Sequence, residues 1–359
     1  MTYDFRVIDT GLLEGRENIS FDQAMIELHG AGEIPDSIRF IRFPPTVLIG
    51  RHQALRQEVK VDFCNQNNIG IARRLTGGGA IYFDEGQLGW SLVFHRASLG
   101  IASLENLARD ICEAAATGIR RLGVDARYRP RNDIEVGGRK ISGTGGFFDG
   151  DTLFYQGTVL IDMNPADMVA ALRVPAAKLG KRGIESAAER IVTLKELLGD
   201  AIPNLATIKS ALIEGFTETL GITPVIGEVS EQEEDLTRRI FSQEVGTDAF
   251  VTEIDDPTSG TDVYVGSHSG PGGTITCYVR LEGPRQNRIR EILITGDFFV
   301  TPPRFIWDLE AILRGITLDR FSETVHAFVD KTTVDLLSVK ARHFVVAFER
   351  AVSEVISSR

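Results

Sequence analysis

The chain has 359 residues, of which 43% are hydrophobic and 25% are charged, a composition typical of a folded protein and unlike that of a disordered one. Its 50 Asp and Glu residues exceed its 39 Lys and Arg residues, so the net charge is −11. This balance excludes nucleic-acid binding and docking on an anionic membrane surface, because both depend on an excess of Lys and Arg.

The N-terminal ten residues mix Asp4, Arg6 and Asp9 with apolar residues and lack the apolar centre of a signal peptide. No apolar run reaches the roughly 20 residues that a membrane-spanning helix needs. The three cysteines form no CxxC pair and the six histidines show no metal-ligand spacing, so neither a disulfide framework nor a zinc site is predicted. We therefore expect a cytoplasmic protein without membrane association.

Strand-like and helix-like segments alternate through the first two thirds of the chain. Continuous apolar runs at Thr46–Ile49, Gln87–His95 and Leu153–Asp162 predict buried strands. Between them, Ser103–Leu122 repeats apolar residues every three or four positions, which predicts an amphipathic helix. Cys112 lies on the apolar stripe of this helix and is therefore predicted to be a core thiol.

The first segment whose residues could bind a ligand is a triple glycine after a basic pair, in Arg73-Arg-Leu-Thr-Gly-Gly-Gly-Ala-Ile-Tyr82. Glycines let the backbone approach a ligand closely and turn its N–H groups toward an anion. Arg74 could fork onto a carboxylate or a phosphate. A glycine-rich turn beside solvated arginines explains this segment equally well when it is taken alone.

A second glycine-rich segment runs from Asn132 to Gly146. Its Gly-Gly pair at 137–138 predicts a two-residue hairpin turn, whose register pairs Glu135 with Lys140 and Asp133 with Ser142. Because strand side chains alternate, these four residues would share one face and could hold a nucleotide phosphate and its Mg²⁺. An exposed hairpin with a weak ion pair is the alternative.

Basic residues cluster around the second segment, which predicts a locally basic site within an acidic protein: Arg127, Arg129, Arg131, Arg139 and Lys140. Neither glycine segment is a P-loop or a dinucleotide-binding GxGxxG, and the chain has no GxSxG nucleophile elbow. The residues alone therefore indicate an anion-handling α/β enzyme.

The residue composition and the pattern of predicted elements change after about residue 228. A Gly-, Ser-, Pro- and Asp-rich stretch, Asp255–Gly273, has the composition of a surface loop. The elements predicted after it are two pairing strands over Ile275–Leu281 and Arg288–Thr295 and two helices over Phe305–Arg314 and Thr333–Ser357. We predict two domains, residues 1–228 and 229–359, the second a small α+β domain.

The first glycine segment, continued to Asp84 as RRLTGGGAIYFD, resembles the RRxSGGGAVYHD signature of the lipoate–protein ligases. Asn132-Asp-Ile with Gly138–Gly143 resembles their ND(L/I)…G(K/R)KISG segment. Weaker matches follow in the expected order at Val47–Gln53, Gln156–Leu160, Lys181–Ser186 with Arg190–Leu194, and Ile292–Phe299. The resemblance covers nearly the whole chain. It implies an α/β (α+β) fold, with a mixed-sheet biotin/lipoate-ligase-like catalytic domain and a C-terminal accessory domain.

The resemblance implies a two-step reaction. Lipoate and ATP, with Mg²⁺, would give lipoyl-adenylate, and the lipoyl group would then pass to a lysine of a lipoyl carrier domain or a glycine-cleavage H-type protein. Lys140 would be the catalytic residue, since its charge would stabilise both transfers, and Asp133 would contact Mg²⁺. The binding residues carried over are Arg51, Arg74, Thr76, Gly77, Gly78, Gly79, Ala80, Asn132, Asp133, Ser142, Gly157 and Thr158. We expect the chain to act as a monomer.

Phe83 and Gln156 depart from the family pattern, which usually has histidine at both positions, so acyl or acceptor preference can differ. The closest alternative is an octanoyltransferase on the same scaffold, which would need a reactive cysteine beside Asn132 and Asp133. No cysteine lies near them in the sequence. A biotin ligase matches the motifs less well. A catalytically silent lipoate- or carrier-binding protein would not need to retain Lys140 and the triple glycine.

Overall fold

A computed structural model describes residues 3–173, 189–260 and 262–357, so the predicted family match at Lys181–Ser186 lies outside the described residues. Within these ranges, no helix is long and apolar enough to span a bilayer. The helices are α1 (Gly15–Gly30), α2 (Leu55–Glu58), α3 (Val61–Gln66), α4 (Arg96–Leu99), α5 (Leu104–Arg121), α6 (Pro165–Ala171), α7 (Leu194–Leu198), α8 (Leu205–Leu220), α9 (Glu231–Gln243), α10 (Asp248–Val251), α11 (Phe305–Leu313), α12 (Phe321–Lys331) and α13 (Ala341–Ser357). The strands are β1 (Tyr3–Leu12), β2 (Ser37–Arg42), β3 (Thr46–Ile49), β4 (Gly70–Arg73), β5 (Ile81–Phe83), β6 (Gln87–His95), β7 (Arg127–Arg129), β8 (Asp133–Val136), β9 (Arg139–Asp149), β10 (Thr152–Leu160), β11 (Ile222–Ile226), β12 (Tyr264–Gly270), β13 (Gly273–Glu282), β14 (Arg288–Gly296), β15 (Val300–Thr301) and β16 (Asp335–Leu336).

The central element is an eight-stranded mixed sheet in the order β11-β1-β2-β6-β10-β9-β8-β7. β1 runs parallel to β2 and to β11, and the ladders from β2 to β7 are antiparallel. The buried strands predicted from the apolar runs around residues 87–95 and 153–162 are β6 and β10. The mixed sheet with its helices confirms the predicted α/β fold class.

Helix α5 packs against α8 and the central sheet and supplies much of the main core. Ser103 caps the helix by accepting a hydrogen bond from the Asn106 N–H at 3.2 Å. A Cβ on Gly118 would lie 2.7 Å from the Ala211 carbonyl oxygen, so the two helices approach closely at this glycine. The amphipathic helix and its core thiol are confirmed, because the predicted stripe is buried: Leu107, Ile111, Cys112, Ala115 and Ile119.

A separate three-stranded sheet, in the order β4-β3-β5, carries the first glycine segment. Its central strand β3 is buried along its whole length, as its continuous apolar run predicts. It pairs in parallel with β4 and antiparallel with β5. The chain from Arg74 to Ala80 is the loop that joins β4 to β5, so both ends of the triple glycine are anchored in one small sheet.

The C-terminal part is built on an antiparallel sheet of β12, β13 and β14 with helices on one face. Ile275, Cys277 and Val279 pack with Phe344 and Phe348 in a core of their own. The predicted strand pair is confirmed as parts of β13 and β14. The predicted helix over residues 305–314 is confirmed as α11.

The expectation that residues 255–273 form only a surface loop is wrong, because residues 264–270 are strand β12. Gly266 explains the difference. A Cβ there would lie 2.1 Å from the Ala351 backbone nitrogen, so the glycine allows α13 to lie directly on the strand. The Ser- and Gly-rich composition therefore reflects close packing rather than an irregular loop.

The predicted helix over Thr333–Ser357 is wrong for its first eight residues, since α13 starts at Ala341. Leu336 pairs with Val300 in the short ladder between β16 and β15. Ser338 adopts φ +59°, which a right-handed helix does not allow. A tertiary strand pairing thus replaces the helix that the apolar spacing predicts.

The predicted domain boundary at residue 228 precedes α9, which packs on α1 of the N-terminal part. A capping box of Ser230 and Glu233 starts α9, and Glu233 is buried against the Arg6 guanidinium at 2.5 Å. The core of the C-terminal sheet begins only at Ile275. The division into residues 1–228 and 229–359 stays a prediction.

Candidate active site

The two glycine segments and the C-terminal sheet meet around a cavity of about 830 Å³. Of the residues predicted to form the site, the cavity is lined by Arg74, Thr76, Gly77, Gly78, Gly79, Ala80, Asn132, Asp133, Lys140, Gly157 and Thr158. Arg51 and Ser142 do not line it. Segments that are far apart in the sequence therefore contribute to a single concave surface, and two of the predicted residues lie elsewhere.

Arg74 lines the cavity, but its guanidinium is bound to the backbone of the glycine loop. Its guanidinium is buried and donates hydrogen bonds to the carbonyl oxygens of Leu48 (2.7 Å), Gly77 (3.2 Å) and Gly79 (2.8 Å). Burial lowers the pKa of Arg74 to about 10, so it remains charged at neutral pH. The expected fork onto a ligand is corrected: these backbone contacts hold the loop in place.

The contacts of Arg74 also orient the N–H groups of the loop. In a planar trans peptide, the C=O and N–H point in opposite directions. Because Arg74 holds the carbonyls of Gly77 and Gly79, the N–H groups of Gly78 and Ala80 point away from it. The Gly78 N–H donates to the Phe298 carbonyl oxygen at 3.2 Å. The Gly78 N–H, one of the loop N–H groups predicted to turn toward an anion, is therefore bound within the protein.

Two of the three glycines are required by this contact with the C-terminal part. A Cβ on Gly77 would lie 2.1 Å from the Phe298 carbonyl oxygen. Gly78 has φ +94°, and a Cβ there would lie 2.8 Å from the Phe299 ring. Gly79 faces open space, with its nearest neighbour, Asp297, at 3.8 Å. The triple glycine thus serves close packing on one side and leaves room in the cavity on the other.

Thr76 and Gln156 connect the glycine loop to strand β10. The Gln156 side-chain amide donates to the Thr76 hydroxyl at 2.9 Å, and both residues line the cavity. Because Thr76 accepts this bond, its own hydroxyl hydrogen remains to be donated to a ligand. Gln156 replaces a family histidine, and the amide keeps the position polar.

Phe83, the other position at which histidine was expected, lies among apolar residues of the cavity lining. Its ring is buried with its centroid 4.6 Å from that of Phe43. The N-terminal part contributes a set of apolar side chains to the lining, which we call the apolar arm: Ile41, Phe43, Leu48, Ile81, Phe83, Leu160, Met163, Met168 and Leu172. Side chains of this kind are suited to a hydrocarbon chain.

The second glycine segment forms the predicted hairpin of β8 and β9. Gly137 and Gly138 both have positive φ, +57° and +80°, as the predicted turn requires. The Lys140 ammonium lies 2.7 Å from the Asp133 carboxylate, which the Arg129 guanidinium also contacts at 2.5 Å. Burial alone would raise the pKa of Asp133, but Lys140 and Arg129 outweigh burial and hold it below its usual value.

The predicted register of the hairpin is wrong beyond Lys140. Glu135 pairs with Lys140 as expected, but an extra residue, Ile141, forms a bulge and shifts the ladder by one. Ser142 therefore lies opposite Ile134 and Gly143 opposite Asp133. Ser142 is completely buried on the other face of the hairpin, away from the cavity.

The bulge also explains the glycine at position 143. The Lys140 side chain crosses this residue to reach Asp133, and a Cβ on Gly143 would lie 2.6 Å from the Lys140 ammonium. The backbone of Lys140 is held by Arg190 and Val192 through hydrogen bonds of 2.8 and 2.9 Å. The family match at residues 190–194 is thus a strand-like support for Lys140.

Arg51 was expected near the acyl group, but its side chain turns toward the C-terminal part. The guanidinium lies over the rings of Phe250 (4.7 Å) and Trp307 (4.4 Å) and pairs with Glu253 at 2.6 Å. Its backbone N–H donates to the Thr76 carbonyl oxygen at 2.9 Å. Arg51 therefore supports the glycine loop from behind.

The remaining predicted residues position neighbouring backbone. Asn132 donates to the Thr144 carbonyl oxygen at 2.5 Å, and Thr158 accepts from the Gly143 N–H at 3.2 Å. A Cβ on Gly157 would lie 2.2 Å from the Trp90 ring, so a glycine is needed for close packing there. All three line the cavity, where their exposed atoms remain available to a ligand.

The positions of the three cysteines bear on the octanoyltransferase alternative. Cys64, Cys112 and Cys277 are all buried and none lines the cavity. Cys112 lies one layer behind it, 3.1 Å from the Thr144 hydroxyl. Burial raises the pKa of both the Cys64 and the Cys112 thiols to about 11, so thiolate is scarce at neutral pH.

The locally basic region predicted from the sequence is largely neutralised. Arg127 pairs with Asp125 and Arg139 with Glu196, while Arg129 and Lys140 share Asp133. Asp125 and Asp133 are near these basic residues in the sequence, whereas the pair of Arg139 with Glu196 joins distant elements and could not be found by counting local charges.

One wall of the cavity was missed altogether. It comes from the C-terminal sheet and is lined by Val265, Ser267, Ser269, Thr274, Thr276, Tyr278, Thr295, Asp297 and Phe299. A signal was present, since the alternation over residues 274–281 puts Thr274, Thr276 and Tyr278 on the face opposite the apolar core. Composition alone did not show that this polar face meets the glycine loop.

The family comparison gives a direct match. Residues 14–217 match the family described as the lipoyl protein ligase A/B catalytic domain. The chain is 31% identical to lipoate-protein ligase A subunit 1 of Thermoplasma acidophilum over 245 residues, which are 66% of this chain and 91% of that protein. It is 29% identical to octanoyltransferase LipM of Symbiobacterium thermophilum over 271 residues, covering 69% and 98% of the two chains.

Two solved structures of lipoate–protein ligases are similar to this chain. A bi-partite lipoate protein ligase from Thermoplasma acidophilum, studied with its E2 lipoyl domain, is 28% identical, with a TM-score of 0.61 over 70% of this chain and 97% of that one. A lipoate-protein ligase A bound with ATP is 26% identical, with a TM-score of 0.60 over 70% and 99%.

Proposed function

The chain belongs to the lipoyl protein ligase A/B family, and we propose that it is an ATP-dependent lipoate–protein ligase. It would join lipoate to AMP and then transfer the lipoyl group to a lysine of a carrier domain. The observation that carries the proposal is the Lys140–Asp133 pair in the same cavity as the glycine loop, with no cysteine in the lining. Its relatives include both lipoate–protein ligases and octanoyltransferases.

The cavity supports separate binding of the two halves of lipoyl-adenylate. The apolar arm would take the acyl chain, since it is lined by Phe43, Phe83 and other apolar side chains. The Thr76 hydroxyl and the Ala80 N–H would donate to the acyl carboxylate or the α-phosphate. Gly79 lies beside them without a side chain, so the backbone does not obstruct the ligand.

In the first step, a carboxylate oxygen of lipoate attacks the α-phosphorus of ATP. A new oxygen–phosphorus bond forms, and pyrophosphate leaves with the electron pair of the bond that breaks. Lys140 would stabilise the negative charge that develops on the phosphate oxygens. Asp133 would hold the ammonium in place before the ligand arrives, because the pair is already formed at 2.7 Å.

In the second step, the neutral amine of the acceptor lysine attacks the lipoyl carbonyl. The carbon–nitrogen bond forms, AMP leaves with the electron pair of the single bond that joined its phosphate oxygen to the carbonyl carbon, and the proton that the amine loses passes to water. Lys140 would stabilise the oxyanion and the departing phosphate. No protein nucleophile is needed, which is consistent with the buried thiols.

Mg²⁺ would enter with ATP and neutralise part of the phosphate charge. Asp133 fits such an ion because it is an ionised carboxylate in the cavity wall, although Lys140 and Arg129 compete for its oxygens. The described residues include no group of three or more potential metal ligands. The phosphate oxygens and water would therefore supply most of the coordination, as is usual for nucleotide-bound Mg²⁺.

The proposed acceptor is a lipoyl carrier domain or an H-type protein of glycine cleavage. A solved relative was studied with its E2 lipoyl domain, which supports an acceptor of that kind. We also propose that the chain acts as a monomer in the cytoplasm. We keep residues 229–359 as a proposed accessory domain, whose sheet supplies one wall of the site.

Lipoate-dependent exchange of labelled pyrophosphate into ATP tests the proposed function. A ligase forms the adenylate reversibly, so exchange should require lipoate, ATP and Mg²⁺ but no acceptor protein. An octanoyltransferase of the kind suggested by one relative, or a silent binding protein, would show no exchange. Loss of exchange at saturating substrates would therefore reject the ligase.

A further inference from the structure

Three cations of the cavity lining differ in what they contact. Arg74 is bound to backbone carbonyls and Lys140 to Asp133. Arg131 also lines the cavity, and its Nη1 donates to the Pro271 carbonyl oxygen at 2.8 Å. Among residues 3–173, 189–260 and 262–357, no carboxylate lies within ion-pair distance of it. Arg131 therefore presents a positive charge to the cavity that no described acidic side chain neutralises.

The backbone of Arg131 is held in a costly conformation. Its φ is +95°, in the left-handed region that glycine adopts freely and other residues rarely do. Residues held in such a strained conformation concentrate at functional sites. Arg131 directly precedes Asn132 and Asp133, so the strained turn places a further basic residue of the cavity lining beside the hairpin of β8 and β9.

The C-terminal sheet faces the cavity with a set of hydroxyl groups, which we call the hydroxyl wall: Ser267, Ser269, Thr274, Thr276 and Thr295. Cross-strand hydrogen bonds order two pairs of them, Ser267 with Thr276 at 2.9 Å and Ser269 with Thr274 at 3.0 Å. Pro271 lies in the turn between β12 and β13, so the Arg131 contact joins the guanidinium to the end of this wall.

A row of hydroxyl donors with a guanidinium at its end is suited to phosphate oxygens, and the one carboxylate among the wall residues named above, that of Asp297, accepts a hydrogen bond from the Thr274 N–H. In an in-line displacement, the attacking and leaving oxygens lie on opposite sides of the phosphorus. The carboxylate would approach from the apolar arm, which belongs to the N-terminal part of the chain. The leaving group must then depart on the side away from the attacking carboxylate, and the C-terminal sheet supplies a further wall of the cavity.

We propose that Arg131 and the hydroxyl wall bind the β- and γ-phosphates of ATP and hold pyrophosphate as it leaves. This inference rests on the proposed function. As the carboxylate–phosphorus bond forms, the bond from the α-phosphorus to the bridging oxygen breaks, and its electron pair leaves with pyrophosphate. Arg131 stabilises the charge that accumulates there, and no proton is transferred.

The test compares the binding of AMP with that of α,β-methylene-ATP, in the presence of Mg²⁺, by titration calorimetry. Arg131→Gln should weaken binding of the analogue about tenfold or more, since charge-assisted phosphate contacts are strong. Its affinity for AMP should stay within about twofold, because the β- and γ-phosphates are missing from AMP. Arg131→Lys should recover part of the loss. Equal losses for both nucleotides, or no loss, would overturn the inference.

Arg127→Gln is the matched control, because Arg127 lies in the adjacent strand β7 and pairs with Asp125 outside the cavity. It should bind both nucleotides as the wild type does. Arg131→Asn separates charge from folding, since asparagine tolerates the left-handed region better. Its melting temperature should be no lower than that of the wild type. It should still lose the tighter binding of α,β-methylene-ATP relative to AMP. A retained preference in that variant would overturn the inference.

A further variant tests the hydroxyl wall. The Ser269→Ala, Thr274→Val double substitution removes one ordered pair and should weaken the analogue severalfold while sparing AMP. If the wild-type protein binds the analogue more tightly than AMP but shows no lipoate-dependent exchange, the phosphate site is supported and the ligase activity is refuted. Wild-type protein with no preference for the analogue over AMP would overturn the inference whatever the exchange assay gives.

Discussion

The Lys140 ammonium reaches the Asp133 carboxylate at 2.7 Å by passing over Gly143, where a side chain would meet it at 2.6 Å. The pair is two-thirds or more removed from solvent, with side-chain exposures of 33% and 21%. The bulge at Ile141 creates this arrangement, because it places Gly143 rather than Ser142 opposite Asp133. A local irregularity of the hairpin thus positions the proposed catalytic charge.

Lys140→Ala should strongly slow adenylate formation with little effect on folding. Loss of one preorganised positive charge at a developing anion typically lowers turnover 10²- to 10³-fold, by analogy with other charge-stabilising donors. Asp133 keeps Arg129 as a partner, so the free energy of unfolding should fall by less than about 1 kcal/mol. Pyrophosphate exchange and thermal melting measure the two effects.

Arg139→Ala is the control for that variant, because Arg139 is in the same hairpin but pairs with Glu196 outside the cavity. It should exchange pyrophosphate like the wild type. Near-normal exchange by Lys140→Ala would remove Lys140 from the site.

Gly78→Ala should destabilise the loop and reduce activity. The residue has φ +94°, and the added methyl would lie 2.8 Å from the Phe299 ring. Together these effects should cost about 1–3 kcal/mol of unfolding free energy. Gly79→Ala should retain the stability of the wild type, since its nearest neighbour would be 3.8 Å away. Chemical denaturation measures both, and equal stability of the two variants would refute the packing argument.

The fold could be predicted well where the pattern was local. The buried strands and helix α5 followed from apolar spacing, and the turn at Gly137 followed from the Gly-Gly pair. The start of α13 was predicted wrongly because a strand pairing between Leu336 and Val300 decides it. Such long-range pairing leaves no periodic signal in a single sequence.

The site was predictable only in part, for a related reason. The motifs named the residues around the cavity, but not the direction of their side chains. Arg74 and Arg51 were expected to meet ligands, and tertiary contacts direct them to the loop carbonyls and to the aromatic rings of Phe250 and Trp307. The hydroxyl wall was missed because its approach to the glycine loop depends on how the C-terminal sheet packs.

Cys64→Ser combined with Cys112→Ser should leave exchange and transfer unchanged. Both thiols are buried outside the cavity lining, and burial raises the pKa of each to about 11. At pH 8, only about a thousandth of such a thiol is ionised, so iodoacetamide should label the native protein slowly. Mass spectrometry follows the labelling, and activity that disappears with the first label would contradict the prediction.

Glu310→Gln should change how stability depends on pH. Burial raises the pKa of Glu310 from 4.5 to about 7, although the Ile294 N–H bonds its carboxylate at 2.6 Å. A carboxyl with a raised folded-state pKa stabilises the fold below its unfolded pKa, and this stabilisation is lost as the pH rises through 7. At pH 8, the free energy of unfolding of the variant should exceed that of the wild type by as much as about 3 kcal/mol.

Thermal melting between pH 4.5 and 8 measures this effect. The control is Glu282→Gln, which alters an exposed carboxyl at the end of the same sheet and should leave the pH profile unchanged. If Glu310→Gln and the wild type show the same dependence of melting temperature on pH across this range, the raised pKa of Glu310 is contradicted.

The central claim is that the activated acyl group is carried on AMP and not on the protein. The most direct measurement mixes the protein with lipoate, ATP and Mg²⁺ without an acceptor, quenches the reaction after a single turnover, and analyses the products by mass spectrometry. We predict lipoyl-adenylate in the small-molecule fraction, dependent on ATP, with the mass of the chain unchanged. A chain that gains one acyl group on a cysteine, with or without ATP, would contradict the account.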